Sequence, residues 1–166
     1  MTTHAAENSG EMQARRLERV YDEVARVLRD AAVASRLRTA PGQDEWSAMQ
    51  TLGHVTEMIP YWLNHCRVLI AATGAPPRFG RTPGSPERLA GVARGATSEP
   101  AALLARLEGE VRSAAASIRK LSEAERSKRG ISGESGEITV GEVIESFIVG
   151  HAEEHVAQVK AALKTP

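Results

Sequence analysis

Between Glu11 and Arg38 the residues Leu17, Val20, Val24, Val27, Ala31 and Ala34 recur at alternating steps of three and four. That period predicts an amphipathic helix, which Pro41 and Gly42 end. A second helix is predicted from about Trp46 to Thr73, with Leu52, Val55, Ile59, Trp62, Leu63, Cys66 and Ile70 on one side. Pro60 lies inside it, removes one backbone donor and crowds the carbonyl of Thr56, so a bend is expected there. From Gly74 to Pro100 five glycines and five prolines rule out a long regular element and predict a crossover loop. Within the loop, Ser85 followed by Pro86 suggests a capped short helix to about Arg94.

The third long helix begins near Ser98 and carries Leu103, Leu107, Val111, Ala114, Ile118 and Leu121 in strict helical spacing. A polar stretch from Ser122 to Glu137, with Gly130, Gly133 and Gly136, separates it from the last helix. Thr139 with Glu142 has the spacing of a capping box, and the fourth helix continues to about Leu163. No segment alternates apolar and polar residues between turn signals, so no strands are expected. The pattern predicts an all-α, antiparallel four-helix bundle with a long crossover between helices two and three. Residues 1–166 are expected to form one domain, with residues 1–10 frayed.

Composition narrows the class. The 166 residues are 42% hydrophobic and 25% charged, with 21 basic residues against 21 acidic ones. Zero formal net charge lacks the broad basic footprint of a nucleic-acid binder, so no nucleic-acid partner is expected. No apolar run is longer than that of Val68 to Ala72, far short of the roughly 20 residues that span a membrane. Met1 to Gly10 has neither part of a secretory signal, so a cytoplasmic location is expected. The single Cys66 cannot form an internal disulfide and falls in the apolar stripe of helix two, as a small core residue does.

The candidate chemistry lies in five histidines: His4, His54, His65, His151 and His155. On a helical wheel His151 and His155 share the face of Val140, Ile144, Phe147, Ile148 and Val159, about 6 Å apart along the axis. Two neutral imidazoles so placed can share a divalent cation, or each can bond to a core carbonyl or carboxylate. His54 is the candidate third ligand, yet its wheel position at the edge of the apolar stripe also suits a partly exposed side chain. His65 is about 16 Å further along the same helix, too far to join one coordination sphere, and His4 belongs to a mobile terminus. Glu57 and Glu154 flank the ligands and suit either proton transfer or orientation of an imidazole. Gln158 lies one turn beyond His155. Arg78, Arg81, Arg88 and Arg94 decorate the crossover, either for an anionic substrate or as a solvated loop.

Glu45-Trp46-Ser47, the histidine eight residues after that tryptophan, Ile138-Thr139-Val140-Gly141-Glu142, and His151-Ala152-Glu153-Glu154-His155-Val156-Ala157-Gln158 together resemble the DinB-like (DinB/YfiT) superfamily. The resemblance implies a four-helix bundle with a divalent metal, commonly zinc or nickel, on His54, His151 and His155. It further implies a homodimer acting on a small molecule. Two reaction types are implied: a thiol-dependent S-transferase or isomerase using mycothiol, bacillithiol or glutathione, and a metal-dependent hydrolase. No residues match a thiol-cofactor site. The sequence leaves open an enzyme of either kind and a non-catalytic, dimeric metal-binding module.

Overall fold

The protein was analysed as a computed structural model, which describes residues 2–164, with side chains from Ser9 onward. The His4 side chain lies outside the described ones. The first helix, α1, spans Thr2–Arg29. Ser9 and Gly10 lie within it rather than in a frayed start, and Gly10 is buried where an added Cβ would stand 3.2 Å from the Ile118 carbonyl oxygen.

The end of α1 comes nine residues before the expected Arg38. The Asp30 carboxylate accepts from the Ala32 N–H at 2.9 Å, a local bond that competes with the next helical turn. Ala31 and Ala34 are therefore exposed in a connecting turn, with a 3-10 turn at Ala34–Arg36. Leu37 is buried instead, and its carbonyl accepts from Met49.

Helix α2, Ala48–Ala71, starts with a capping box in which Ser47 and Gln50 satisfy each other's backbone N–H groups, and it continues through Pro60. The crossover contains β1, Arg78–Phe79, and α3, Pro86–Thr97, the latter one turn longer than expected. Ser85 occupies the N-cap position of α3, but its hydroxyl makes no capping bond. Close approach fixes α3 on α2: a Cβ on Gly53 would lie 2.6 Å from the Gly95 Cα. Helix α4, Pro100–Lys120, then buries Leu103, Leu107, Val111, Ala114 and Ile118 as its spacing predicts.

The stretch read as merely polar holds a short helix, α5, Glu123–Arg126, and two strands, β2, Arg129–Ser132, and β3, Gly136–Thr139. This corrects the expectation of no strands. β2 pairs antiparallel with β3 and parallel with β1. Strands of two to four residues are too short to show an alternating pattern, and Gly136 takes φ 68 in the hairpin, where glycine is unstrained. The sheet ties the crossover to the bundle, with the Ile131 N–H donating to the Pro77 carbonyl at 2.8 Å.

The last helix has three parts: α6, Val140–Val143, a π-helical turn, Ile144–Val149, and α7, Gly150–Lys164. Its Thr139–Glu142 capping box is present as expected. Helices α1, α2, α4 and α6–α7 enclose the core, in which Leu17, Leu52, Ile59, Leu107, Ile118, Ile144 and Ile148 are all at most 1% exposed. The molecule is a four-helix bundle with a small sheet closing one end of the crossover.

Candidate metal centre

The π turn decides where the last helix aims its histidines. A continuous α-helix from Ile144 would centre His151 and His155 in the apolar stripe. The buried residues after the turn are instead Ala152, Val156, Val159 and Leu163, the first two each one position beyond a histidine. The Gly150 N–H donates to the Glu145 carbonyl five residues back, the extra residue that produces the shift. His151 and His155 are thereby turned from the centre of the core to its edge and are half-buried.

On α2 the opposite correction holds. His54 is 2% exposed rather than at a wet edge, because α3 and Trp46 cover that side of the helix. Its ring centroid lies 5.8 Å from that of His151 and 5.0 Å from that of His155. One nitrogen from each of the three rings lies within 4.8 Å of the other two, a spacing that can hold a metal ion.

The Nδ1 atoms have a common arrangement. His155 Nδ1 is 3.1 Å from Gln158 Oε1, His54 Nδ1 is 3.6 Å from Glu57 Oε2, and His151 Nδ1 is 3.8 Å from Glu154 Oε2. Each imidazole thus faces an oxygen acceptor three residues on along its own helix. Protons held on Nδ1 leave the Nε2 lone pairs free, the orientation that metal-binding histidines receive from neighbouring acceptors.

Nε2 of His151 and Nε2 of His155 are 3.1 Å apart. Tetrahedral zinc at about 2.1 Å from each nitrogen would separate two ligands by roughly 3.4 Å, so the pair needs little adjustment. Burial pushes all three imidazoles below the ordinary histidine range, so they are neutral at pH 7, as ligands must be. The buried His54 Nδ1 also lacks a hydrogen-bond partner at normal distance. Donor type, protonation and spacing therefore fit a divalent cation.

The expected flanking carboxylates differ sharply. Arg81 donates to both oxygens of Glu57, at 2.6 and 3.0 Å. Burial acts to raise the Glu57 carboxyl, but the nearby His54 ring and the two Arg81 hydrogen bonds outweigh it and hold the group below its usual range. Glu154 has a side chain 79% exposed. Arg81 is no solvated loop residue: its side chain is 6% exposed and its guanidinium lies 4.1 Å over the Tyr61 ring.

An open groove of about 820 Å³ leads to His54 and His151. One wall is aromatic, with Trp62 and Phe147 centroids 4.9 Å apart and Phe79 6.3 Å from each. Arg78, Arg81 and Arg88 also line it, whereas Arg94 does not. Ser132 and Glu134 enter from the hairpin, which sequence reasoning missed because it missed the strands. His65 packs 4.7 Å from Tyr61 and lies outside the histidine cluster. Cys66 is 1% exposed, its thiol pushed up to about 12 by burial, which makes it a core residue and not a nucleophile.

Fold and site together define a helical-bundle protein with an open groove that reaches His54 and His151 of a three-imidazole cluster. The chain belongs to the DinB superfamily, whose family model matches residues 16–159. Among solved structures it is similar to YfiT from Bacillus subtilis, described as "a probable metal-dependent hydrolase with an unusual four-helix bundle topology". The TM-score is 0.75 at 16% identity, covering 93% of this chain and 86% of that one. It is also similar to the mycothiol-dependent maleylpyruvate isomerase, with a TM-score of 0.67 at 18% identity over 90% of this chain. The match spans 60% of the isomerase. No curated protein matches the chain by sequence. Among the described residues, no helix is long and apolar enough to cross a membrane.

Proposed function

We propose that the protein is a metal-dependent enzyme that activates a small thiol for transfer or isomerisation, with His54, His151 and His155 holding a divalent cation. The observation that carries this reading is the convergence of three neutral imidazoles, each backed by an acceptor on its own helix, at the end of a groove. Three protein ligands leave a coordination position open, which suits zinc or nickel in a reactive rather than structural role. Bound there, the cation would supply Lewis acidity, lowering the pKa of a thiol or water that enters its open side.

The protein groups favour the thiol over hydrolysis. Hydrolysis profits from a base beside the attacking water, but Glu57 is committed to Arg81 and Glu154 stands behind His151 at Nδ1. Both carboxylates orient imidazoles in this reading, and neither moves a proton. The aromatic wall of Trp62, Phe79 and Phe147 holds the organic part of the substrate and displaces water from the groove. Of the structural neighbours, the mycothiol-dependent isomerase supports the thiol reading, whereas YfiT, described as a probable metal-dependent hydrolase, supports the alternative.

Metal analysis of untagged protein tests the centre. About one divalent ion per chain is expected after reconstitution, and none in the His151→Ala, His155→Ala double variant. Failure of the unmodified protein to take up zinc or nickel overturns the site. Conjugation of a generic electrophile by mycothiol, bacillithiol and glutathione, run beside ester and amide hydrolysis, tests the reaction. Hydrolysis without thiol turnover would replace this reading with the hydrolase.

A further inference from the structure

The charges around the groove do not cancel. Arg81 and Glu57 neutralise one another, the exposed Arg78 and Glu134 offset one another in sign, and the three imidazoles bring no negative charge to a divalent cation. Arg88 adds a further positive charge and has no carboxylate partner among the described residues. Two contacts hold it: its Nη1 donates to the Pro83 carbonyl at 2.7 Å, and its guanidinium lies 4.5 Å over the Trp46 ring. Trp46 is in turn 5.5 Å from His54. Arg88 is therefore fixed one aromatic ring away from the histidine cluster.

The Pro83 contact occupies one end of the guanidinium. Among the described residues Nε and Nη2 have no hydrogen-bond partner, and these two atoms form the edge that binds a carboxylate through two parallel hydrogen bonds. Burial of Arg88 also lowers its pKa, so the partly desolvated charge gains from a counterion. One planar donor edge on a singly charged guanidinium matches a carboxylate better than a phosphate dianion.

We propose that Arg88 is the anion-binding residue of the groove, and that the substrate is a small carboxylate whose apolar body lies between Arg88 and the Trp62–Phe79–Phe147 wall. The inference rests on the groove being the substrate site of the proposed metal enzyme. It adds the substrate class and the residue that selects it.

Two thiols of the same shape, 4-(mercaptomethyl)benzoate and its neutral benzamide, provide the test on cobalt-loaded protein, where ligand entry changes the visible absorption of the ion. The benzoate is expected to bind about tenfold tighter or more, a difference of about 1.4 kcal/mol. Arg88→Gln is expected to bring the ratio of the two dissociation constants to about one, with cobalt stoichiometry reporting that the variant is folded. Equal binding of the two probes by the unmodified protein, or a preference that survives in Arg88→Gln, overturns the proposal and leaves the thiol reading intact. If neither thiol changes the cobalt spectrum, the thiol reading fails, and 4-methylbenzoate followed by tryptophan fluorescence then decides the anion site alone. Binding to the unmodified protein that Arg88→Gln abolishes upholds it, and no binding overturns it.

Discussion

Each clustered imidazole faces an oxygen atom three positions further along the same helix. His54 meets Glu57, His151 meets Glu154 and His155 meets Gln158. Side chains three apart on a helix are neighbours whatever the tertiary fold, so these pairs are visible in the sequence as soon as the helices are. The Thr139–Glu142 capping box is local in the same way: Thr139 Oγ1 accepts from the Glu142 N–H at 3.2 Å, and Glu142 Oε2 accepts from the Thr139 N–H at 2.8 Å. Thr139→Ala is expected to destabilise the protein by about 1 kcal/mol in urea unfolding. An unchanged midpoint and slope would show that the sheet alone fixes the start of α6. Arg81 and Arg88 were not legible to the same degree. Their partners Glu57 and Trp46 lie 24 and 42 positions away, and only the folded crossover brings them together.

At the scale of elements, a departure from regular helix geometry aims the site. Without the π turn the apolar stripe would run Ile144, Ile148, His151, His155, and the two histidines would point into the centre of the core. With it, Ala152 and Val156 fill those positions and the imidazoles reach the groove. Nothing in the residue pattern marks an inserted residue, because hydrophobic spacing of three and four fits both registers. The clue available in the sequence is Gly150, where an added Cβ would lie 2.9 Å from the Glu145 carbonyl oxygen. Gly150→Ala should favour regular α-helix through this segment, with a propensity gain of up to about 1 kcal/mol setting off part of the crowding. Zinc affinity is expected to fall about tenfold or more by calorimetric titration, as when groups that orient a ligand are lost, while the melting temperature moves little. Undiminished affinity would mean that the π turn is not what directs the pair. The strands escaped detection for a related reason: β1 has two residues, and its partner β2 is supplied by a segment more than fifty positions later.

Over the whole molecule, the core and the histidine cluster are separable. Apolar side chains from all four long helices fill the interior, and ion pairs fasten α1 to its neighbours. Arg16 bridges Glu145 and Glu153, Arg119 bridges Glu11 and Glu18, and Lys160 meets Glu23. The histidine cluster lies at the edge of this assembly, and of its three rings only His54 is fully covered. A chain of this length buries roughly 70% of its unfolded surface, enough to fold without a metal. The bundle was legible from periodicity for that reason: most of its stability is in long amphipathic helices. Removing the metal should accordingly leave a folded protein. After treatment with a chelator, the far-ultraviolet circular dichroism is expected to be unchanged and the thermal transition still cooperative. A ligand present at about 100 times its dissociation constant adds about 2.7 kcal/mol of stability, which corresponds to roughly 5–10 °C for a domain of this size. Zinc should raise the melting temperature of the stripped protein by about that amount, and leave that of the His151→Ala, His155→Ala variant where it is. A chelator that abolishes the cooperative transition would instead make the cation a structural element and count against an open, reactive site.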